Sequence, residues 1–284
     1  MFIKESYPQN SELQIHLALN MQYEIYKPNT ALSALVDYYY HAKGSFKKEE
    51  RTILPDGRVD LVFVLSAGVR TKGMRKTEPV IPGGLLQARK KEIFSVVYDG
   101  QLELIGIRFT PKGAVALLGL PMAELPEYPI PLADIFTKEA KELEESLFEQ
   151  RDLTSKIKLI EYWLVRRLKK VDLKHQWEWD WLDKLMSTSG TVSLQDLLQK
   201  SDSNYKRIQR FFRDQLGIPP KYFARILRLE AIHQDLRMNE NASIDWMSVV
   251  VKYGFYDQSH LVREFQQMTG HSPEQFIADL PQFI

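Results

Sequence analysis

The sequence predicts an α+β chain, with a mostly β N-terminal domain that ends in helices and an all-α domain after it. Three observations carry that expectation. Residues from about 20 to 130 alternate β-branched and aromatic runs with Gly and Pro turns. Apolar residues begin to recur at three- and four-residue steps at Ile135. From Leu182 onward the pattern is helical apart from short breaks, and one structural theme occurs twice. The boundaries implied are an N-terminal domain over 1–170, a junction over 171–180 and a C-terminal domain over 181–284.

Within the strand-rich part, Ile53 to Leu65 (ILPDGRVDLVFVL) places a Pro-Asp-Gly turn before a β-branched and aromatic run, as expected of a turn entering a buried strand. Leu102 to Phe109 (LELIGIRF) reads as a second strand, closed by Thr110 and Pro111. Between them the Gly/Lys/Arg-rich AGVRTKGMRKTEP reads as an exposed hairpin or loop. Two amphipathic helices follow, one with Phe136, Ala140, Leu143 and Leu147 on its stripe, the other with Leu153, Ile157, Ile160, Leu164 and Leu168. Their stripes pack on the sheet or form a seam with a second subunit; because every surface helix needs a buried stripe, the first is the simpler reading. The charged, Trp-rich KKVDLKHQWEWDW reads as the junction between domains.

Bulk properties narrow the function. A length of 284 residues fits two domains better than one. Longest apolar runs such as Leu61 to Leu65 and Ala114 to Leu120 fall far short of the roughly 20 residues that cross a bilayer, and MFIKESYPQN lacks a signal-peptide core, so a cytoplasmic location is expected. The chain has no cysteine, which excludes thiolate nucleophiles, disulfides, zinc ribbons and iron–sulfur clusters. Six histidines without a close pair offer no metal site, Asp56 and Asp60 flank a turn without a catalytic role, and neither an enzyme nor a cofactor is expected. Net charge is +1, yet between Lys200 and Arg237 nine basic residues face four acidic ones, a local +5 suited to phosphate. A second basic group, Lys72, Arg75, Lys76, Arg89, Lys90 and Lys91, rims the front domain, as exposed loops often do.

The repeated theme is a short helix, a tight turn, a longer helix with an inward aromatic, then Gly-x-x-Pro and another helix. In the first copy the helix from about Ser203 to Leu216 sends Tyr205, Ile208, Phe212 and Leu216 to one face. Lys206, Gln209, Arg210 and Arg213 lie on another, with groups suited to guanine, adenine and phosphate in a major groove. In the second copy Leu261 and Phe265 point inward, while Gln258, Ser259, Val262 and Arg263 point outward. Asp257 is placed to cap that helix, and Trp246 to pack as core. Arg225 and Arg228 either touch phosphate or pair with Glu230 or Asp235.

The segment GFYDQSHLVREFQQMTGHSPEQF resembles the signature of AraC/XylS transcription regulators, and GIPPKYFARILRLEAI resembles the family's linker-helix entry between two helix-turn-helix units. The front, through LPDGRVDLVFVL, IGIRFTPKGA and PIPLADIF, resembles the sensor domain of one AraC subgroup with no assigned effector. The resemblance implies an all-α C-terminal domain with two helix-turn-helix units and sequence-specific promoter binding controlled by an unknown signal. It implies base-reading roles for Lys206, Gln209 and Arg210 in the first unit and for Gln258, Ser259, His260, Val262 and Arg263 in the second. Double-stranded DNA is the expected partner, with a small-molecule effector, RNA polymerase and a homodimer as open partners, and activation or repression left open.

Two departures stand out: Leu198 replaces a small Ala and Asp202 replaces the turn Gly. From Met238 to Ile284 two basic residues face six acidic ones, so the first unit is expected to dominate affinity. A DNA-repair alkyl transferase carrying the same module would need an acceptor cysteine, which is absent. An interaction protein that has lost DNA binding is the other rival.

Overall fold

The computed structural model describes residues 21–66, 69–72, 77–79, 82–87, 93–126, 128–168, 176–193, 205–238 and 244–280. The basic front-domain rim falls largely outside the described residues; so do the first helix of the first unit, Leu198 and Asp202 included, and Lys169 to His175 of the Trp-rich stretch.

The N-terminal domain is an antiparallel sheet of β1 (Met21–Tyr26), β2 (Val36–Ile53), β3 (Val59–Ser66), β4 (Val69–Lys72), β5 (Thr77–Pro79), β6 (Gly83–Gln87), β7 (Phe94–Phe109) and β8 (Ile130–Pro131). Its order is β1-β2-β7-β3-β6-β8, with β4 and β5 forming a hairpin beside β7. The expected strands and the hairpin between them are therefore present. The long pair β2 and β7 forms the spine, and a bulge between Phe46 and Glu49 shifts its register.

Alternation along the strands sets two faces. Tyr39, Leu61, Phe63, Leu86, Ile105 and Ile107 share one buried cluster with residues from three helices, α1 (Pro111–Leu118), α2 (Leu132–Glu149) and α3 (Leu153–Leu168). Ala140, Leu143 and Leu147 of α2 and Ile157, Ile160 and Leu164 of α3 are buried there, so both stripes pack within the chain and not across a subunit seam. Phe136 leaves helical geometry at a kink in α2, where the Arg167 guanidinium lies 3.7 Å from its ring centre. Arg167 also donates to the carbonyls of Leu117 and Leu118 at the end of α1, tying α3 to that helix.

The C-terminal domain contains α4 (Gln176–Ser187), α5 (Tyr205–Phe211) continued by a π-helical turn (Phe212–Leu216), α6 (Pro220–Met238), α7 (Trp246–Lys252), α8 (Gln258–Thr269) and α9 (Pro273–Ala278). Helix α4 starts inside the stretch expected to be a junction. Trp179 and Trp181 are 2% and 6% exposed, with their rings edge-on to Phe211 at 4.8 Å and Phe212 at 5.8 Å. Both tryptophans thus belong to the C-terminal core. Phe212 is the hub, also meeting Phe223 of α6 at 5.9 Å. Phe211 and Phe212 both turn inward because, three and four residues after buried Ile208, they fall on the same helical face.

Candidate nucleic-acid interface

Helices α5 and α8 present the faces that the sequence singles out. On α5, Ile208, Phe211 and Phe212 go inward, while Lys206, Gln209, Arg210 and Arg213 are exposed. Arg213 shares a surface ion pair with its neighbour Asp214 at 2.8 Å, a contact weak enough in water to be exchanged for phosphate. Arg207, on the adjoining face, is held at 3.0 Å by Glu178, a carboxylate only 2% exposed in α4, which fixes α5 against α4.

On α8, Leu261, Phe265 and Met268 are buried, and Gln258, Ser259 and Arg263 are exposed. Val262 is half-buried and joins those three around a shallow surface depression. Asp257 caps the helix by accepting from the His260 amide at 2.7 Å, as its position in the sequence implies. His260 is engaged inside the unit: its Nδ1 accepts from the Tyr256 amide at 3.3 Å, its Nε2 lies 3.6 Å from Glu264, and its ring stands edge-on to Phe255. Its neighbours on α8 are thus better placed to reach outward.

Helix ends are built as the break residues require. Gly270 closes α8 in the left-handed region at φ 75°, a conformation that L side chains rarely adopt. Ser272 then opens α9 with a reciprocal capping box to Gln275, and Pro273 sits at its first turn. Trp246 packs edge-on to Phe265 at 6.2 Å, joining α7 to α8.

The arginines of α6 differ from expectation. Arg225 pairs with Glu264 of α8 and donates to Gln267 Oε1 at 2.7 Å, so it bridges the linker helix to the second unit instead of meeting Glu230 or Asp235. Arg228 lies 5.3 Å from the Phe255 ring centre, and burial lowers its pKa. Asp235 instead accepts from Tyr253 at 2.5 Å and pairs with Lys252. Because the partners of Arg225 are 39 and 42 residues away and those of Asp235 are 17 and 18 away, no local spacing rule points to them. Three of the second unit's acids are committed in this way: Glu264 to Arg225, Asp257 and Asp245 to helix caps. At the end of α6, buried Arg237 donates to His233 and to the Leu280 carbonyl. Burial lowers the His233 pKa to about 3, with Arg237 adding to the shift, so the ring is neutral and free to accept.

Two family models match the chain: a helix-turn-helix domain over residues 198–279 and a domain of unknown function (DUF6597) over residues 24–131. No curated protein matches. Among solved structures, the chain is similar to an apo variant of ToxT from Vibrio cholerae at 10% identity, covering 89% of this chain and 99% of that one with a TM-score of 0.44. It is similar to Vibrio cholerae ToxT bound to (E)-4-(8-methylnaphthalen-1-yl)but-3-enoic acid at 12% identity, covering 92% and 99% with a TM-score of 0.44. A cupin domain of an XRE family transcriptional regulator from Enterobacter cloacae is similar at 13% identity over 32% of this chain and 98% of that one, with a TM-score of 0.27. By the two family models the chain carries a helix-turn-helix domain behind a DUF6597 domain, and the segment from Gly254 to Phe276 within the former resembles the AraC/XylS signature.

Proposed function

We propose that the chain binds promoter DNA sequence-specifically by laying the exposed faces of α5 and α8 in the major groove, under control of a signal received at its N-terminal domain. One observation carries this reading: two helices share one apolar core and each turns a polar face with base-matching groups to solvent. Arg210 and Arg263 suit guanine N7 and O6, Gln209 and Gln258 suit adenine, and Val262 suits a thymine methyl. Lys206 and Arg213 suit phosphate. The basic stretch containing α5 supplies most of the counterion-release term, so the first unit dominates affinity and the second adds discrimination.

A small-molecule effector at the N-terminal domain is the simplest signal, provided that it binds two states with different affinity. Contact with RNA polymerase, a homodimer and a cytoplasmic location complete the proposal; among the described residues no helix is long and apolar enough to cross a membrane. Selection from a random duplex pool tests the reading. Enrichment of a defined motif, with affinity falling steeply with salt, supports it. A chain that enriches no motif is an interaction protein instead.

A further inference from the structure

The turn Leu54-Pro55-Asp56-Gly57-Arg58 belongs to the N-terminal domain by chain position and to the C-terminal domain by packing. Leu54 is 6% exposed and lies in the C-terminal core cluster with Phe223 and Ile226 of α6. Gly57 adopts φ 65°, and a Cβ there would stand 2.9 Å from the Phe223 ring, so only glycine fits the turn against that helix. Arg58 pairs with Asp37 on its own domain, and its other terminal nitrogen lies 3.7 Å from Glu230 of α6. Both members of that cross-domain pair are less than a fifth exposed. Behind the turn, Arg108 grips Asp60 with two bonds of 3.0 Å and reaches Asp56 at 3.1 Å, while the Arg58 amide donates to Asp56. The turn is therefore fastened to β3 and β7 on one side and seated on α6 on the other.

Helix α6 in turn touches both helix-turn-helix units, through Phe223 on Phe212 and through Arg225 on Glu264 and Gln267. With the turn seated, Lys206, Gln209, Arg210, Arg213, Gln258 and Arg263 all remain exposed, so docking covers none of these reading groups. We infer that the Leu54–Arg58 turn is a clamp by which the N-terminal domain holds α6, and through it both reading helices, in the arrangement that engages DNA. This rests on the reading of α5 and α8 as the DNA-contacting helices. A signal that rearranges the Asp60–Arg108–Asp56 carboxylate bridge would reach α6 through Arg58, which gives the front domain a route to the DNA-binding domain without covering it.

The test uses the full chain with Glu230→Arg, Arg58→Glu and the double swap, reading affinity for a selected duplex and amide hydrogen exchange along α6. Each single variant should lose about five- to tenfold in affinity and exchange faster around Phe223 to Glu230, and the swap should restore both to within about twofold of the parent. If Arg58→Glu unfolds the front domain by stranding Asp37, Glu230→Arg carries the test alone, since it leaves that domain intact. Glu230→Arg with parental or tighter affinity overturns the clamp, and so does unchanged exchange in α6. A parent that selects no duplex refutes the DNA reading; exchange in Glu230→Arg then still decides whether the turn holds α6.

Discussion

Replacing Trp179 by alanine strikes the point where the Trp-rich stretch becomes part of the C-terminal core. The side chain is 2% exposed and meets Phe211 edge-on at 4.8 Å, just before the Phe212 hub. Removing about 200 Å² of buried aromatic surface at roughly 25 cal/mol per Å² gives about 5 kcal/mol, an upper bound because the unfolded chain already hides part of that area. Edge-on ring contact adds about 1 kcal/mol and partial collapse of the cavity subtracts a similar amount, so the expected loss is about 3–5 kcal/mol. Guanidinium unfolding of the full chain, followed by far-ultraviolet circular dichroism, measures it. The transition of the C-terminal domain should move to markedly lower denaturant while that of the N-terminal domain stays in place. A loss below about 1 kcal/mol would return Trp179 to a loose junction and refute the packing argument.

Three further outcomes follow from particular residues. Leu164→Glu puts an unpaired carboxylate into the packing between α3 and the sheet, where Leu164 is fully buried, and should unfold the N-terminal domain; a folded variant with altered sedimentation would restore the subunit-seam reading. His233 titrates at about 3 folded against 6.5 unfolded, so below pH 6.5 the unfolded chain binds the extra proton and stability falls as pH drops. Between pH 6.5 and 5 the loss should be about 2 kcal/mol, and His233→Gln, which keeps an acceptor for Arg237, should remove that part of the pH dependence; an unaltered pH profile would contradict it. Limited proteolysis should release a C-terminal fragment that begins before Gln176, and a stable fragment that begins at Trp181 would show that Trp179 is dispensable.

The features legible in the sequence are those with a local physical signature. The stripes of α2 and α3, the Pro-Asp-Gly turn before β3, the Asp257 cap and the Gly270–Ser272–Pro273 break all follow from spacing and residue type, and the structure places each as expected except at Phe136, where α2 kinks. Features that depend on long-range pairing were hidden. The Trp-rich stretch looks solvated because its tryptophans alternate with charged residues, and only the partners Phe211, Phe212 and Arg207 reveal that Trp179, Trp181 and Glu178 face inward. Arg225 finds Glu264 across 39 residues, and Arg58 finds Glu230 across the domain boundary. At the interface itself, a local spacing rule separates the inward and outward faces of α5 and α8 well. Missing from it is the internal engagement of His260, which depends on the Tyr256 amide and on Glu264.

The central claim is that the exposed face of α5 reads bases, and Arg210 tests it most directly. Affinities of the parent and of Arg210→Ala are to be measured against the selected duplex and against every single-base change in it. The account predicts that Arg210→Ala binds the selected site about 1–3 kcal/mol more weakly and loses discrimination at one position, with smaller losses for Arg263→Ala. Equal binding by Arg210→Ala and the parent across that panel would contradict it, and a larger loss at Arg263 would reverse the ranking of the two units.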